Sequence, residues 1–316
     1  MTAGKRTVGK DIPGENSPED TSLREALETF RQLRDEFTRD YPLAAHALPA
    51  VDGPLSDLFA LLVEQPADPA LRREAMIARI RAAWRASGAI LDPKCCEAVL
   101  DAMSRVPREA FVPEEALELA YLPTPLSIGH DQTISDPLIV ATLALAIGSS
   151  RTGRVLDVGT GCGYQAAVLS LIYDQVVSIE IIPELACEAT ARLSRLGYGN
   201  VEVLEGDAIT ITALSDTQRF DAVVVAAGSP AVPPALLRSL DIGGRLIAPV
   251  GPAGGEQLIR VSPKSEHGFA RCSLGPARFV PLRGVAARTS VPGGDLQEAL
   301  PECFGAPVLT TRPQME

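Results

Sequence analysis

Aromatic residues and histidine are scarce in this chain of 316 residues. Aromatics make up 4% of the sequence and histidine occurs three times. Acidic residues outnumber basic ones by 40 to 29, so the net charge is −11. A chain with this net negative charge repels a nucleic-acid phosphate backbone. The few aromatic rings also offer little surface on which unpaired bases could stack. We therefore expect no nucleic-acid partner.

Long apolar runs are also absent. The longest stretch, Leu138–Ile147, is much shorter than the ~20 residues that a membrane-spanning helix needs. The first six residues include Lys5 and Arg6, but no apolar run follows them, so no secretory signal is readable. These features predict a cytoplasmic protein that has no membrane partner.

The six cysteines form no C-x-x-C pair, and the histidines lie far from them in sequence. We therefore expect no metal site. Cys95 and Cys96 fall in an apolar helical pattern, which is typical of buried thiols. The sequence predicts reduced thiols, as in the cytosol. The cysteines are Cys95, Cys96, Cys162, Cys187, Cys272 and Cys303.

Three regions are expected along the chain. Residues 1–67 form an N-terminal extension with a disordered start and amphipathic helices. Residues 68–284 form the main domain, and residues 285–316 form a C-terminal tail. The extension shows apolar residues at helical spacing, first Leu23, Leu27, Phe30, Leu33 and Phe37, then Leu55, Leu58, Phe59 and Leu62.

The main domain begins with helices and continues as alternating strands and helices. One helix is expected from an N-cap at Asp68 to a stop at Gly88, and another over Pro93–Ser104. The alternation after residue 150 predicts an α/β fold whose sheet is mostly parallel, with helices on both faces. Strands are expected at Arg154–Val158, Val176–Ile179, Val201–Leu204, Phe220–Val225 and Arg245–Val250, with an antiparallel edge formed by Gln257–Val261 and Arg278–Leu282.

A glycine-rich loop, Gly159-Thr160-Gly161-Cys162-Gly163, follows the first strand directly. Its G-x-G-x-G spacing differs from the G-x-G-x-x-G loop that cradles a dinucleotide pyrophosphate. S-adenosylmethionine has no pyrophosphate, but its ammonium group needs a nearby carboxylate. Asp157 could supply that charge, directly or through water.

Two more carboxylates follow the next strands. Glu180 ends the second strand, where an acidic side chain can accept hydrogen bonds from both ribose hydroxyls. Asp207 follows the third strand and is expected to meet the adenine amino group. Either residue alone could be a helix N-cap or a solvated loop residue. Together with the loop, they predict an adenosyl-cofactor site.

Six segments carry a resemblance to the protein-L-isoaspartate O-methyltransferase family. The resemblance extends from about Arg73 to Gly284, and its Gln-Thr-Ile-Ser segment, residues 132–135, is more specific than the glycine loop. The segments are Val106–Pro113, Leu126–Pro137, Leu156–Gln165, Ser178–Glu184, Gly243–Leu246 and Arg278–Leu282.

The resemblance implies a Rossmann-like methyltransferase fold with S-adenosylmethionine as the methyl donor. It also implies methylation of the side-chain carboxylate of L-isoaspartyl residues, which is a repair of damaged proteins. The partners would then be isoaspartyl-containing proteins or peptides.

The acceptor carboxylate is already ionised at pH 7, so the reaction needs alignment more than a general base. The family's motif serine falls at Ser135, which we expect to be the catalytic residue. Ser135 could also be the N-cap of a helix that begins at Pro137. His130 and Thr133 are expected to shape the cofactor site from the same loop, although a lone histidine is more often structural.

Two residues depart from the family's pattern. Asp131 stands where a small residue is usual, and Asp136 stands where glutamine or alanine is commoner. Extra negative charge there could weaken binding of an anionic acceptor unless both side chains face solvent. Two alternatives stay open: an enzyme that methylates aspartate in a modified peptide, and a non-catalytic protein that binds an adenosyl cofactor.

Overall fold

The structure, a computed structural model, describes residues 61–62, 64–148, 150–211, 219–264, 268–284 and 300–309. Nearly all of the predicted N-terminal extension and most of the predicted tail lie outside these residues. No helix in the described ranges is both long and apolar enough to cross a membrane.

The first described part of the main domain is helical, as predicted. The side chain of Asp68 caps the helix Pro69–Ala86 by accepting a hydrogen bond from Ala70 N at 2.8 Å. The side chain of Asp92 caps the helix Pro93–Arg105 in the same way, by accepting a hydrogen bond from Lys94 N at 2.9 Å. The elements are α1 (Pro69–Ala86), α2 (Pro93–Arg105), two short 3-10 helices (Arg108–Phe111 and Glu114–Leu119), the hairpin β1 (Leu126–Ser127) and β2 (Thr133–Ile134), and α3 (Pro137–Ile147).

A seven-stranded sheet follows in the described residues, in the order β5-β4-β3-β6-β7-β8-β9. The strands from β5 to β7 in this order are parallel, and β8 and β9 add an antiparallel edge. The elements are β3 (Ser150–Val158), α4 (Tyr164–Ser170), β4 (Tyr173–Glu180), α5 (Pro183–Arg195), β5 (Val201–Glu205), β6 (Phe220–Val225), α6 (Pro234–Arg238), β7 (Leu240–Val250), β8 (Gln257–Pro263) and β9 (Phe269–Pro276).

The middle one of the five parallel strands, β3, lies where the strand order reverses. Val158 at its end is level with Ile179 of β4 on one side and Val225 of β6 on the other. The chain leaves β3 towards β4 and later returns to β6, so the two connections diverge and leave a crevice at this edge. The order of strands therefore places the glycine loop at the mouth of a crevice.

Apolar clusters cover both faces of the sheet. Successive residues of β3 and β6 point to opposite sides, so Val155 and Val224 join one cluster while Leu156 and Val223 join the other. The first cluster includes residues of α1 to α4, and the second includes Leu236 of α6. The α/β fold with helices on both faces is confirmed.

The predicted edge strand over Arg278–Leu282 is wrong. The edge strand is β9, which ends at Pro276, and the chain then turns back towards the loop after β6. There Gly228 N donates to Val280 O, and Leu282 N donates to Gly228 O, both at 2.8 Å. An extended apolar segment that pairs with a loop has the same sequence pattern as an edge strand, so the sequence could not separate them.

The strand predicted over Arg245–Val250 is longer in the structure. Helix α6 ends at Arg238, and β7 already begins at Leu240 and runs through Gly243 and Gly244. A Cβ at Gly244 would lie 3.1 Å from Phe220 O, so this glycine allows a close approach of β6 and β7. The register between β6 and β7 shifts here.

The expectation of reduced thiols is wrong for one pair. Cys272 of β9 and Cys303 form a disulfide, although they lie 31 residues apart and share no spacing motif. Cys95 is buried, as predicted, and burial raises the pKa of its thiol to about 11. A thiol so rarely ionised is a poor nucleophile, which fits a packing role.

Candidate functional site

The glycine loop after β3 lies against two neighbouring elements. A Cβ at Gly161, where φ is +53°, would lie 3.2 Å from Ile128 Cδ1 in the β1–β2 hairpin. A Cβ at Gly163, where φ is +91°, would lie 3.1 Å from Leu193 Cδ1 of α5. Glycine is required at both positions because they combine a positive φ with close packing.

Glu180, at the end of β4, holds this loop in place. Its Oε2 accepts a hydrogen bond from Gly161 N at 2.8 Å, and its Oε1 accepts one from Ile182 N at 3.0 Å. The residue is 5% exposed and lines a cavity above the ends of β3 and β4. Each carboxylate oxygen retains a second lone pair, so Glu180 can also accept hydrogen bonds from a ligand.

Asp207 follows β5 on the other side of the same cavity. Its Oδ1 accepts a hydrogen bond from Ile209 N at 2.8 Å, which shapes the turn after the strand. Asp207, Ala208 and Ile209 line the cavity together, so a carboxylate stands beside apolar side chains. This combination suits a flat heterocycle that carries an exocyclic amino group.

Asp157 lies beneath the cavity rather than in its lining. It is fully buried in β3 and accepts hydrogen bonds from Gln165 Nε2 and Ser178 Oγ, both at 2.7 Å. Ser178 Oγ lies in turn 2.6 Å from Thr160 Oγ1. Burial is the main cause that raises the pKa of Asp157, and the neighbouring Glu180 charge adds to it. The two hydrogen-bond donors lower the pKa, and the net value is about 6.

A second, larger cavity of about 1050 Å³ adjoins the first, and we call it the acceptor cleft. Residues of α1, the α3 N-terminus and the stretch 276–280 line it. Four residues line both cavities, and they are Thr133, Ser135, Ala226 and Val280. A reactant in each cavity could therefore meet at this shared wall.

Arg108 fixes the backbone at the shared wall. Its side chain is fully buried, with Nη2 donating to Ser135 O at 2.7 Å and Nε donating to Ala120 O at 2.6 Å. The guanidinium also lies 4.7 Å from the ring centroid of Tyr164, the first residue of α4. Burial lowers the pKa of Arg108, while the nearby Tyr164, Cys162 and Asp136 raise it.

The model of the family described as protein-L-isoaspartate(D-aspartate) O-methyltransferase matches residues 83–287, about two thirds of the chain. The chain belongs to this family. A protein-L-isoaspartate O-methyltransferase 2 of Pelobacter propionicus is 51% identical over 189 residues, which cover 60% of this chain and 83% of that protein. A protein-L-isoaspartate O-methyltransferase of Opitutus terrae is 46% identical over 186 residues, which cover 59% of this chain and 79% of that protein.

Solved structures of the same enzyme class share the fold. A protein-L-isoaspartate O-methyltransferase structure from Plasmodium falciparum aligns with a TM-score of 0.56 at 22% identity and covers 67% of this chain and 98% of that one. Another structure of that name aligns with a TM-score of 0.58 at 23% identity and covers 68% of this chain and 67% of that one. The Rossmann-like methyltransferase fold is thus confirmed.

Most of the residues predicted from sequence to bind the cofactor, together with Ser135, meet at the first cavity, above the ends of β3 and β4, and we therefore call it the cofactor cavity. Those in its lining are Thr133, Ser135, Gly159, Thr160, Gly161, Glu180 and Asp207. Gly163 is instead the N-cap of α4, and Asp157 supports the lining through Gln165. The direct cofactor contact considered for Asp157 does not fit this placement, because its side chain is fully buried.

His130 lies apart from both cavities in this structure. With Asp131 it forms the tip of the β1–β2 hairpin, where Gln132 N donates to Gly129 O at 2.9 Å. His130 and Asp131 both have positive φ, at 53° and 60°, which is the conformation of a type I′ hairpin turn. His130 is exposed at this tip, so the geometry favours a structural turn residue over a ligand contact.

The two departures from the family's pattern have different surroundings. Asp131 is 63% exposed in its side chain and lies 3.9 Å from Arg283, so it faces solvent. Asp136 lines the acceptor cleft, and its Oδ1 accepts a hydrogen bond from Leu138 N at 2.7 Å. The expectation that Ser135 caps this helix is therefore wrong, because Asp136 is the N-cap of α3.

Sequence reasoning assigned no role to two residues that the structure places at the site. Arg108 falls within the segment Val106–Pro113, but a charged residue in a sequence gives no sign that it is buried. Gln165 lines the cofactor cavity and donates to Asp157 from the first turn of α4. Its position in the first helical turn after the glycine loop is the signal that could have revealed it.

The buried Asp157 predicts a pH-dependent difference in stability between the wild type and Asp157→Asn. Because the folded protein raises the pKa of this carboxyl from 3.8 to about 6, the wild type is relatively most stable below pH 4. Relative to the variant, it should lose up to about 3 kcal/mol of unfolding free energy as pH rises to 7. Denaturant unfolding at several pH values measures this difference.

The exposed Asp174→Asn variant is the control for this comparison. A difference between wild type and Asp157→Asn that stays constant from pH 4 to 7 would show that Asp157 keeps an ordinary pKa in the folded protein.

Proposed function

We propose that this chain methylates the side-chain carboxylate of L-isoaspartyl residues in damaged proteins, with S-adenosylmethionine as the methyl donor. One observation carries the assignment of roles: Ser135 lies on the wall shared by the cofactor cavity and the acceptor cleft. Membership in the protein-L-isoaspartate O-methyltransferase family supports the choice of reaction.

The first cavity is proposed as the donor site. S-adenosylmethionine supplies, when bound, a methyl group on a positively charged sulfur. Glu180 accepts hydrogen bonds from the ribose hydroxyls and Asp207 accepts one from the adenine amino group, while the glycine loop lets the backbone approach the ligand. The related structure from Plasmodium falciparum is a complex with S-adenosyl-L-homocysteine, the demethylated form of this donor.

Ser135 is proposed to orient the acceptor. An ionised carboxylate is already nucleophilic, so no side chain has to remove a proton, and the rate depends on aligning the oxygen with the methyl group. The Ser135 hydroxyl donates to the acceptor carboxylate, and Arg108 fixes the Ser135 main chain through its carbonyl oxygen. Arg108 is therefore a positioning residue.

Two positively and two negatively charged side chains line the acceptor cleft. Arg79 and Arg278 line the cleft, together with Asp136 and Glu256. Asp136 interacts electrostatically with Arg79, so its negative charge is partly offset. Asp136 also caps α3, and the N-terminus of a helix stabilises that charge.

We propose residues 68–284 as the methyltransferase domain, residues 1–67 as an extension and residues 285–316 as a tail. The proposed partners are isoaspartyl-containing proteins or peptides of the cytoplasm. With a net charge of −11, the chain is not expected to bind nucleic acid.

The proposed reaction predicts a strict dependence on the isoaspartyl linkage. The protein should transfer a labelled methyl group from S-adenosylmethionine to an isoaspartyl peptide, and only weakly to the same peptide with normal aspartate. Methyl transfer that favours the normal aspartyl peptide would support a modified-peptide enzyme instead. Binding of S-adenosylmethionine without transfer to any peptide would support a non-catalytic role.

The proposed donor site predicts that Glu180→Ala weakens S-adenosylmethionine binding by about 1.5–3 kcal/mol, as expected for hydrogen bonds to a charged group. Part of the loss should come from release of Gly161 N. Glu205→Ala is a matched control, because Glu205 ends β5 level with Glu180 but is exposed and outside the cavity lining. Calorimetry in which both variants bind equally well would remove Glu180 from the site.

The proposed role of Ser135 predicts that Ser135→Ala lowers turnover while the affinity for S-adenosylmethionine stays nearly unchanged. An orienting hydrogen bond matters mainly in the transition state, so kcat should fall. Ser127→Ala is the control, since Ser127 belongs to the hairpin that directly precedes Ser135 but lines neither cavity. A Ser135→Ala variant that turns over like the wild type would contradict this role.

A further inference from the structure

The C-terminal segment, residues 300–309, lies beyond the part of the chain that matches the family model, which ends at residue 287. It packs along β9, where Ser273 and Glu302 form a parallel bridge. Ser273 N donates to Pro301 O at 2.9 Å, and Cys303 N donates to Ser273 O at 2.8 Å. The segment therefore extends the edge of the sheet.

A disulfide, a main-chain hydrogen bond and a cation–π contact anchor the segment on three sides. The Cys272–Cys303 disulfide ties it covalently to β9. Phe304 O accepts a hydrogen bond from Ile90 N at 2.8 Å, and the guanidinium of Arg260 lies 5.0 Å from the Phe304 ring centroid. The segment is thus held by β8, β9 and the connection between α1 and α2.

The sequence of β9 is adapted to this segment at Gly275. A Cβ at this position would overlap the carbonyl oxygen of Leu309, and the residue has a φ of +111°. Next to it, Leu309 N donates to Leu274 O at 2.8 Å. Only glycine permits so close an approach, so β9 is fitted to the segment.

Val308 and Leu309 bring the segment to the acceptor cleft. Their side chains are 3% and 5% exposed, and both line the cleft, which Ser135 also lines. The other apolar side chains in the lining include Met76 and Ile80 of α1, together with Phe279. Part of the cleft is therefore apolar, and some of that part comes from outside the family-matched region.

We infer that Val308 and Leu309 are specificity-determining residues that form an apolar subsite for a substrate residue adjacent to the isoaspartate. The inference rests on the proposed function, because Ser135 then holds the acceptor carboxylate and neighbouring substrate residues must extend along the cleft. An apolar wall binds an aliphatic side chain better than the bare backbone of glycine, since it removes apolar surface from water.

The test uses two pairs of isoaspartyl peptides. In one pair the residue before the isoaspartate is leucine or glycine, and in the other pair the residue after it is leucine or glycine. Of the two leucine peptides, the one that the wild type uses better should have a kcat/KM about tenfold above that of its glycine partner. Leu309→Ala, and Val308→Thr as a variant of conserved shape, should lower this ratio to about two or less, mainly by raising KM for the leucine peptide. Thermal unfolding and S-adenosylmethionine binding establish that the variants are folded.

Glu302→Gln is the matched control, because Glu302 belongs to the same segment but is exposed and does not line the cleft. It should keep the wild-type ratio. A wild-type ratio near one, or a folded Val308→Thr variant with the wild-type ratio, would overturn the subsite while leaving methyl transfer intact. Failure of the wild type to methylate any isoaspartyl peptide would instead overturn the proposed function, and the subsite with it.

Discussion

The buried guanidinium of Arg108 is the interaction on which the site's geometry depends. It joins three parts of the chain that are far apart in sequence: Ala120, Ser135 and the ring of Tyr164 at the start of α4. A buried cation is costly unless its donors are used. Here Nε and Nη2 are used and the Tyr164 ring lies beside the guanidinium, whereas Nη1 has no hydrogen-bond partner among the described residues. The acceptor side of the site is thereby fixed relative to the helix that follows the donor loop.

Glu180 provides the matching constraint on the donor side. Its carboxylate holds Gly161 N and Ile182 N, so the ends of β3 and β4 are joined by the same side chain that faces the ligand. Beneath it, the Thr160–Ser178–Asp157–Gln165 chain of hydrogen bonds supports the cavity from inside the sheet. These hydrogen bonds are formed in the absence of a ligand, and such preorganisation of a site reduces the entropy lost on binding.

Much of the fold and of the donor site could be predicted because local rules apply there. Strand ends, a glycine loop and carboxylates after successive strands must meet at one edge of a parallel sheet, so Glu180 and Asp207 followed from their positions. His130 and Asp157 were harder to place, because a sequence does not distinguish a turn tip or a buried support from a ligand contact. The stretch 278–282 and the Cys272–Cys303 disulfide depend on long-range packing that no local pattern encodes.

The net negative charge of the protein opposes the binding of a negatively charged acceptor. A chain of net charge −11 repels an anionic carboxylate at long range, so the field of the whole protein does not favour capture. Attraction has to come from groups inside the cleft, whose lining includes Arg79 and Arg278. Asp136 weakens that local field but caps α3, whose first turn follows Ser135 directly. Asp136 therefore lowers the affinity for an anion, while its cap fixes the start of the helix next to Ser135, the residue proposed to orient the acceptor.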